Sequence, residues 1–148
     1  MSALKDRITA DMKTAMREKD KERLATIRML TAAIKQREVD ERIELTDDDV
    51  IAIVEQLVKQ RREAEAQYRA GDRADLADQE ASEAALLADY LPEQLDEAEI
   101  DQLVDDAVTA TGAESMRDMG KVMGMLKPKV AGRTDMSALS AKIKARLG

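Results

Sequence analysis

Apolar residues return along most of this chain at the spacing of an α-helix. Leu4, Ile8, Met12 and Met16 recur every fourth position and predict a first helix from Ala3 to Lys19, with Ser2 as its N-cap. Leu24, Ile27, Leu30, Thr31 and Ile34 form the inward face of a second helix, Lys21 to Asp40, capped by Asp20. Glu41 to Leu45 reads as a connector. Thr46 caps a third helix that runs to about Arg69. Asp47, Asp48 and Asp49 stand in its first turn, where carboxylates complement the positive end of the helix dipole. Ala70-Gly71-Asp72 interrupts the pattern, and a fourth helix runs from Arg73 to Tyr90 or Leu91, stopped by Pro92.

Beyond Pro92 the helices are shorter. Asp96 caps a fifth, with Ile100, Leu103, Val104, Ala107 and Val108 apolar, that ends near Gly112. A sixth covers Met116 to Lys127 and is expected to end at Pro128. Asp135 caps a seventh, whose Met136, Leu139, Ile143 and Leu147 make one stripe. The pattern predicts an all-α, multihelical protein of two all-α subdomains. These are an N-terminal four-helix part, residues 1–92, and a C-terminal three-helix bundle, residues 93–148.

Composition narrows what can fill these interiors. Among 148 residues there is no Phe and no Trp, and only two Tyr, so the cores must be aliphatic, with nine Met to fill irregular gaps. The net charge of −7 argues against a general affinity for nucleic acid or anionic lipid. That average hides a reversal. Glu93 to Met116 carries eight acidic residues and no basic one, whereas Arg117 to Gly148 carries eight basic residues against Asp118 and Asp135. The opening MSALKDRITADMK has no apolar core of a signal peptide, and no run is long enough to span a membrane. The expectation is a cytoplasmic protein with no membrane partner.

Several chemistries lack their residues. Without Cys there is no disulfide or thiol nucleophile, and without His no imidazole base, Ser-His-Asp triad or His metal ligand. No glycine-rich phosphate loop is present. Asp47-Asp48-Asp49 is the most visible carboxylate set for a metal or acid–base site, and its plainer reading is a helix start. Ser137, Ser140 and Lys142 suggest a Ser/Lys nucleophile, but they lie on an amphipathic helix with no oxyanion loop. The expectation is no catalytic residue, no metal and no cofactor.

Two segments carry more information. In Met119 to Arg133, helical spacing puts Met119, Val122, Met123 and Leu126 on one face and Gly120 and Gly124 on another, beside Lys121. Two glycines inside a short helix each cost about 1 kcal/mol relative to Ala, which close approach of another backbone can offset. That backbone is either a neighbouring helix or a phosphodiester chain. For the latter, Lys121, Lys127, Lys129 and Arg133, with Lys142 and Arg146 on the seventh helix, are the candidate contacts. In the second segment, Gln60 to Glu83, Glu80 and Glu83 fall on the apolar stripe Leu76–Leu87–Tyr90, with Arg28, Arg61 and Arg73 available to pair with them. This is either a structural ion-pair network or a polar site for a ligand.

These segments also carry a resemblance. Thr26-Ile27-Arg28-Met29-Leu30, Lys59-Gln60-Arg61-Arg62-Glu63 leading to Tyr68, Gly71-Asp72-Arg73-Ala74-Asp75-Leu76-Ala77, Tyr90-Leu91-Pro92-Glu93-Gln94-Leu95 and Met119 to Arg133 continuing into Leu139 are similar to a YqeY-family protein. That family is a stand-alone relative of the tail of the GatB subunit of tRNA-dependent amidotransferase. The resemblance implies two all-α subdomains and a C-terminal bundle facing tRNA or a tRNA-processing protein complex. It brings with it a label of carbon–nitrogen ligase activity with glutamine as amido-N-donor. The chain has neither the kinase-like nor the amidase part such chemistry needs, so that label reads as inherited by association. Three functional expectations follow: a non-catalytic tRNA-binding module, a protein-interaction module docking through the glycine-bearing helix, and an accessory to an amide-transfer enzyme.

Overall fold

A computed structural model describes residues 2–148, and the fold is all-α and multihelical, with no strand among the described residues. The chain divides into two compact units, one ending at Leu91 and one running from Pro92 to Gly148.

The first unit holds α1 (Ala3–Arg17), α2 (Lys21–Glu41), α3 (Asp47–Ala70) and α4 (Ala74–Ala88). Its core is Ile8, Ala15, Ile27, Leu30, Ile34, Leu45, Val50, Val54, Leu87 and Tyr90. α3 and α4 form the most extensively packed pair, joined by the turn at Gly71-Asp72. The predicted caps close the helices. Thr46 and Asp49 make a capping box at α3, while Ser2 and Asp20 accept from Lys5 N and Arg23 N. Asp47 reaches back to the start of α1, accepting from the Ser2 hydroxyl and from Leu4 N at 3.2 Å. Glu38 takes Lys5 Nζ at 2.6 Å and Leu45 N at 3.0 Å, so the connector before α3 is held by one carboxylate.

The second unit holds α5 (Glu97–Thr111), α6 (Met119–Val130) and α7 (Met136–Leu147). Val122, Leu126, Val130, Leu139 and Ile143 are almost wholly buried against Val104, Ala107 and Val108. α5 begins in a capping box of Asp96 and Glu99 and ends at Gly112, whose φ of 66° is the left-handed conformation that glycine adopts without strain.

The sixth helix departs from expectation at both ends. Met116–Asp118 is a single 3-10 turn capped by Ser115, and α6 begins only at Met119. At the other end, it continues through Pro128 to Val130. Proline removes one bond, the one its nitrogen would donate to the Gly124 carbonyl. Burial of Val130 favours completing the turn. The fourth helix starts one residue later than expected, with Arg73 at the cap position and no side-chain cap bond.

Leu30 is fully buried, so Leu30→Ala should cost about 2–5 kcal/mol in denaturant unfolding, whereas the exposed Val39→Ala should stay within about 0.5 kcal/mol. Acid should also weaken the fold. The Ser2 hydroxyl on Asp47, the Thr46 amide on Asp49 and the Lys5 ammonium on Glu38 each hold a carboxyl below its ordinary value of 3.8 or 4.5. The folded chain therefore binds fewer protons than the unfolded one in this range. That stabilisation is complete above the ordinary carboxylate values and is lost as the pH falls through the lowered ones. The denaturation midpoint should decline from about pH 5 downward, and a flat midpoint to about pH 3 would exclude this account.

Candidate functional site

The site is built on α6, whose buried side is set by Val122, Leu126 and Val130. At about 100° per residue, that rotation turns Gly120 and Gly124 outward, with Lys127 and Lys121 about 120° apart on either side of them. Both glycines are exposed, and a Cβ added to either would meet nothing within 4 Å. Among the described residues there is thus no neighbouring backbone to account for them. Lys121 is 72% exposed and 4.0 Å from Asp118, and Lys127 and Lys129 are exposed. Lys129 lies about 160° around the helix from Lys127, so the three lysines do not share one face.

The other three basic candidates have partners inside the unit. Arg133 donates from Nε to the Glu93 carbonyl at 3.0 Å and from Nη1 to the Lys129 carbonyl at 3.3 Å, tying the end of α6 to the segment before α5. Lys142 lies between Asp101 at 2.8 Å and Glu97 at 3.2 Å, and Arg146 bonds Asp105 at 3.1 Å. The acidic helix and the basic tail thus face one another along the α5–α7 seam. Chiefly through Asp101, the Lys142 ammonium is held above its ordinary value. That is the wrong direction for a lysine activating a serine, which needs a lowered value.

Ser137 and Ser140 are turned elsewhere. With Met123, Met136, Ala141 and Lys144 they line an open groove of about 490 Å³ between α6 and α7. Sequence reading missed Lys144 and this groove. The signal was present, because Lys144 is about 160° from both Lys142 and Arg146 on the wheel.

In the first unit, the expected polar network forms around one arginine. Arg61 Nε is 3.1 Å from Glu83 and 3.7 Å from Glu80, and its guanidinium also meets the Met29 sulfur. The three charged side chains are 19–23% exposed, and Arg61 Nε and Glu80 Oε2 have no well-aligned hydrogen bond. Arg28 is exposed and Arg73 pairs with Asp75 at 3.3 Å, so neither joins the network.

A second polar cluster was not anticipated. The Tyr90 hydroxyl donates to Asp11 at 2.6 Å, Arg7 stacks 4.8 Å over the ring, and Arg23 and Thr26 complete a cavity of about 30 Å³. Burial, and then the Asp11 bond, push the phenol above its ordinary value. The Asp47–Asp49 run is engaged in capping through Asp47 and Asp49, and no acidic group placed to hold a metal occurs among the described residues. No helix there is long and apolar enough to cross a membrane.

Comparison with known proteins agrees with the resemblance read from the motifs. The model of the family described as Yqey-like protein matches residues 5–147. A protein of Pyrenophora tritici-repentis named Altered inheritance of mitochondria protein 41, mitochondrial, is 32% identical over 145 residues, covering 96% of this chain and 80% of that protein. Proteins of the same name from Vanderwaltozyma polyspora and Lachancea thermotolerans are 29% and 33% identical, covering 74% and 67% of this chain and 63% and 54% of theirs. The naming of these relatives as mitochondrial overturns the cytoplasmic expectation. That expectation rested on the lack of an apolar segment, and mitochondrial addresses are amphipathic and arginine-rich rather than apolar.

Replacing Arg61 by Met should leave Glu80 and Glu83 facing each other without a cation. Allowing for their partial exposure, the expected loss is about 1–3 kcal/mol in urea unfolding, larger than for Glu80→Gln, which keeps the closer Glu83 contact. Equal stability of the Arg61→Met variant and the parent would show that the network contributes nothing.

Proposed function

The chain belongs to the Yqey-like protein family, and we propose that it is a non-catalytic binding module whose working surface is the open glycine face of α6. The observation that carries this is the pair of α6 glycines, Gly120 in the first turn and Gly124 mid-helix, with empty space around them. Gly124 costs about 1 kcal/mol relative to Ala and Gly120, in the first turn, less, and no described residue packs close enough to require either to be small. A partner backbone that comes close at Gly120 and Gly124 supplies the reason for both.

The partner we propose is RNA of the tRNA class, whose phosphodiester chain would run between Lys121 and Lys127. α6 carries no acidic residue from Met119 to Val130, and Asp118, 4.0 Å from Lys121, borders the path only at its start. The resemblance to the amidotransferase tail points the same way. Pairing of Lys142 and Arg146 with α5 limits the site to few phosphates, so affinity should be modest. That same pairing, with Lys129 turned aside, favours the second reading, in which the glycine face docks on a protein helix. An amide-transfer enzyme fits either reading as the complex that the module accompanies.

Gly120→Ala and Gly124→Ala separate folding from binding. Each should raise stability by up to about 1 kcal/mol, because the added methyl meets nothing, while weakening tRNA binding in a filter or mobility assay. Charge reversal at Lys121 and Lys127 should abolish the binding. With two phosphates contacted at about 0.7–0.9 each, the parent's log affinity against log salt should slope at roughly −1.5. Binding indifferent to salt and to both lysines would move the assignment to a protein partner.

A further inference from the structure

The groove between α6 and α7 lies beside the glycine face, and its lining is chemically specific. Met123 and Met136 give it a thioether floor, Ser137 and Ser140 two hydroxyls, and Lys144 its one charged group. Elsewhere in the helices, Thr9, Thr14, Thr26 and Thr111 turn their hydroxyls back onto the carbonyl four residues earlier. The hydroxyls of Ser137 and Ser140 make no such bond, and both line the groove instead. A hydroxyl free to donate and accept can pair with any group of the same dual capacity, and in a nucleic acid strand the ribose 2′-hydroxyl is the one that distinguishes RNA from DNA. The groove is open along its length, so it can receive one group of a longer strand but does not enclose a whole ligand. With Lys144 the only charged residue in the lining, the groove complements an anion.

We propose that this groove receives one unstacked ribonucleotide of the RNA held on the glycine face. The base rests on Met123 and Met136, the 2′-hydroxyl bonds Ser137 or Ser140, and Lys144 meets the adjoining phosphate. Lys127, on the same flank of α6 as Met123, joins the two surfaces into one path for the strand. The groove therefore selects RNA over DNA and unpaired nucleotides over a duplex. The inference rests on the RNA reading of α6 and adds to it which feature of the RNA is read.

The test uses three labelled probes: an RNA stem–loop with an unpaired loop, a DNA stem–loop of the same sequence, and a fully paired RNA duplex. The parent should bind the RNA stem–loop at least about tenfold more tightly than the other two, the scale of one lost polar contact set. The double variant Ser137→Ala, Ser140→Ala should lose that preference while keeping the salt slope, and Ala substitution on an exposed helix face does not threaten the fold. Ala141→Trp, which fills the groove, should weaken stem–loop binding and leave duplex binding unchanged. If the serine variant keeps the full RNA preference, the groove proposal is overturned while the glycine-face reading stands. If the parent binds none of the probes, or the Gly120 and Gly124 variants bind as the parent does, the glycine-face reading fails and the groove proposal falls with it.

Discussion

The rotation of α7 about its own axis decides what the C-terminal unit can do. Leu139, Ile143 and Leu147 are buried and leave one orientation for this helix against α5 and α6. From that orientation, Lys142 and Arg146 are carried to the α5 side, where Glu97, Asp101 and Asp105 meet them. Ser137, Ser140 and Lys144 are carried to the α6 side, where they border a groove. Apolar burial is non-directional, yet once three positions on a helix are committed, the direction of every other side chain follows. Part of the segregation of charge along the sequence, acidic and then basic, is internal pairing within one small unit, with Lys142 and Arg146 set against Glu97, Asp101 and Asp105. Such exposed pairs add little stability. Their consequence is to take cations out of the surface open to a partner.

The N-terminal unit shows a related economy in its polar groups. Arg61 serves two carboxylates from α4, so one guanidinium organises the polar part of the most extensively packed helix pair. At the other end, Asp47 and Glu38 each accept from two groups and hold the starts of α1 and α3 and the connector between α2 and α3. With no Phe or Trp, the core has few large side chains to lock the helices by shape. Directional bonds at helix ends and between helices supply register that aliphatic packing specifies less sharply.

The relative that covers 96% of this chain is 32% identical to it, so most positions differ between the two proteins. Apolar positions at helical spacing tolerate exchange among Leu, Ile, Val and Met as long as volume is kept. An exposed glycine pair in a helix has no such equivalence, because every replacement except proline favours the helix and fills the space.

Helix number, the all-α class and nearly every cap were legible in the sequence, because a 3.6-residue apolar period and an N-cap hydroxyl or carboxylate act locally. So were the family motifs, and Glu80 and Glu83 as carboxylates in need of an arginine. The sequence did not reveal which arginine answers them, since Arg28, Arg61 and Arg73 are equally placed until α3 and α4 pack. It did not show that α6 passes through Pro128, because the burial of Val130 that favours the last turn is a tertiary fact. It also could not separate Lys121 and Lys127, left open on the surface, from Lys142 and Arg146, drawn to α5, or reveal Tyr90 bonded to Asp11 across 79 positions. Periodicity states which face of a helix is buried. Only the packing of one helix on another states what each remaining face meets, and that decides which charges and which glycines are free to bind.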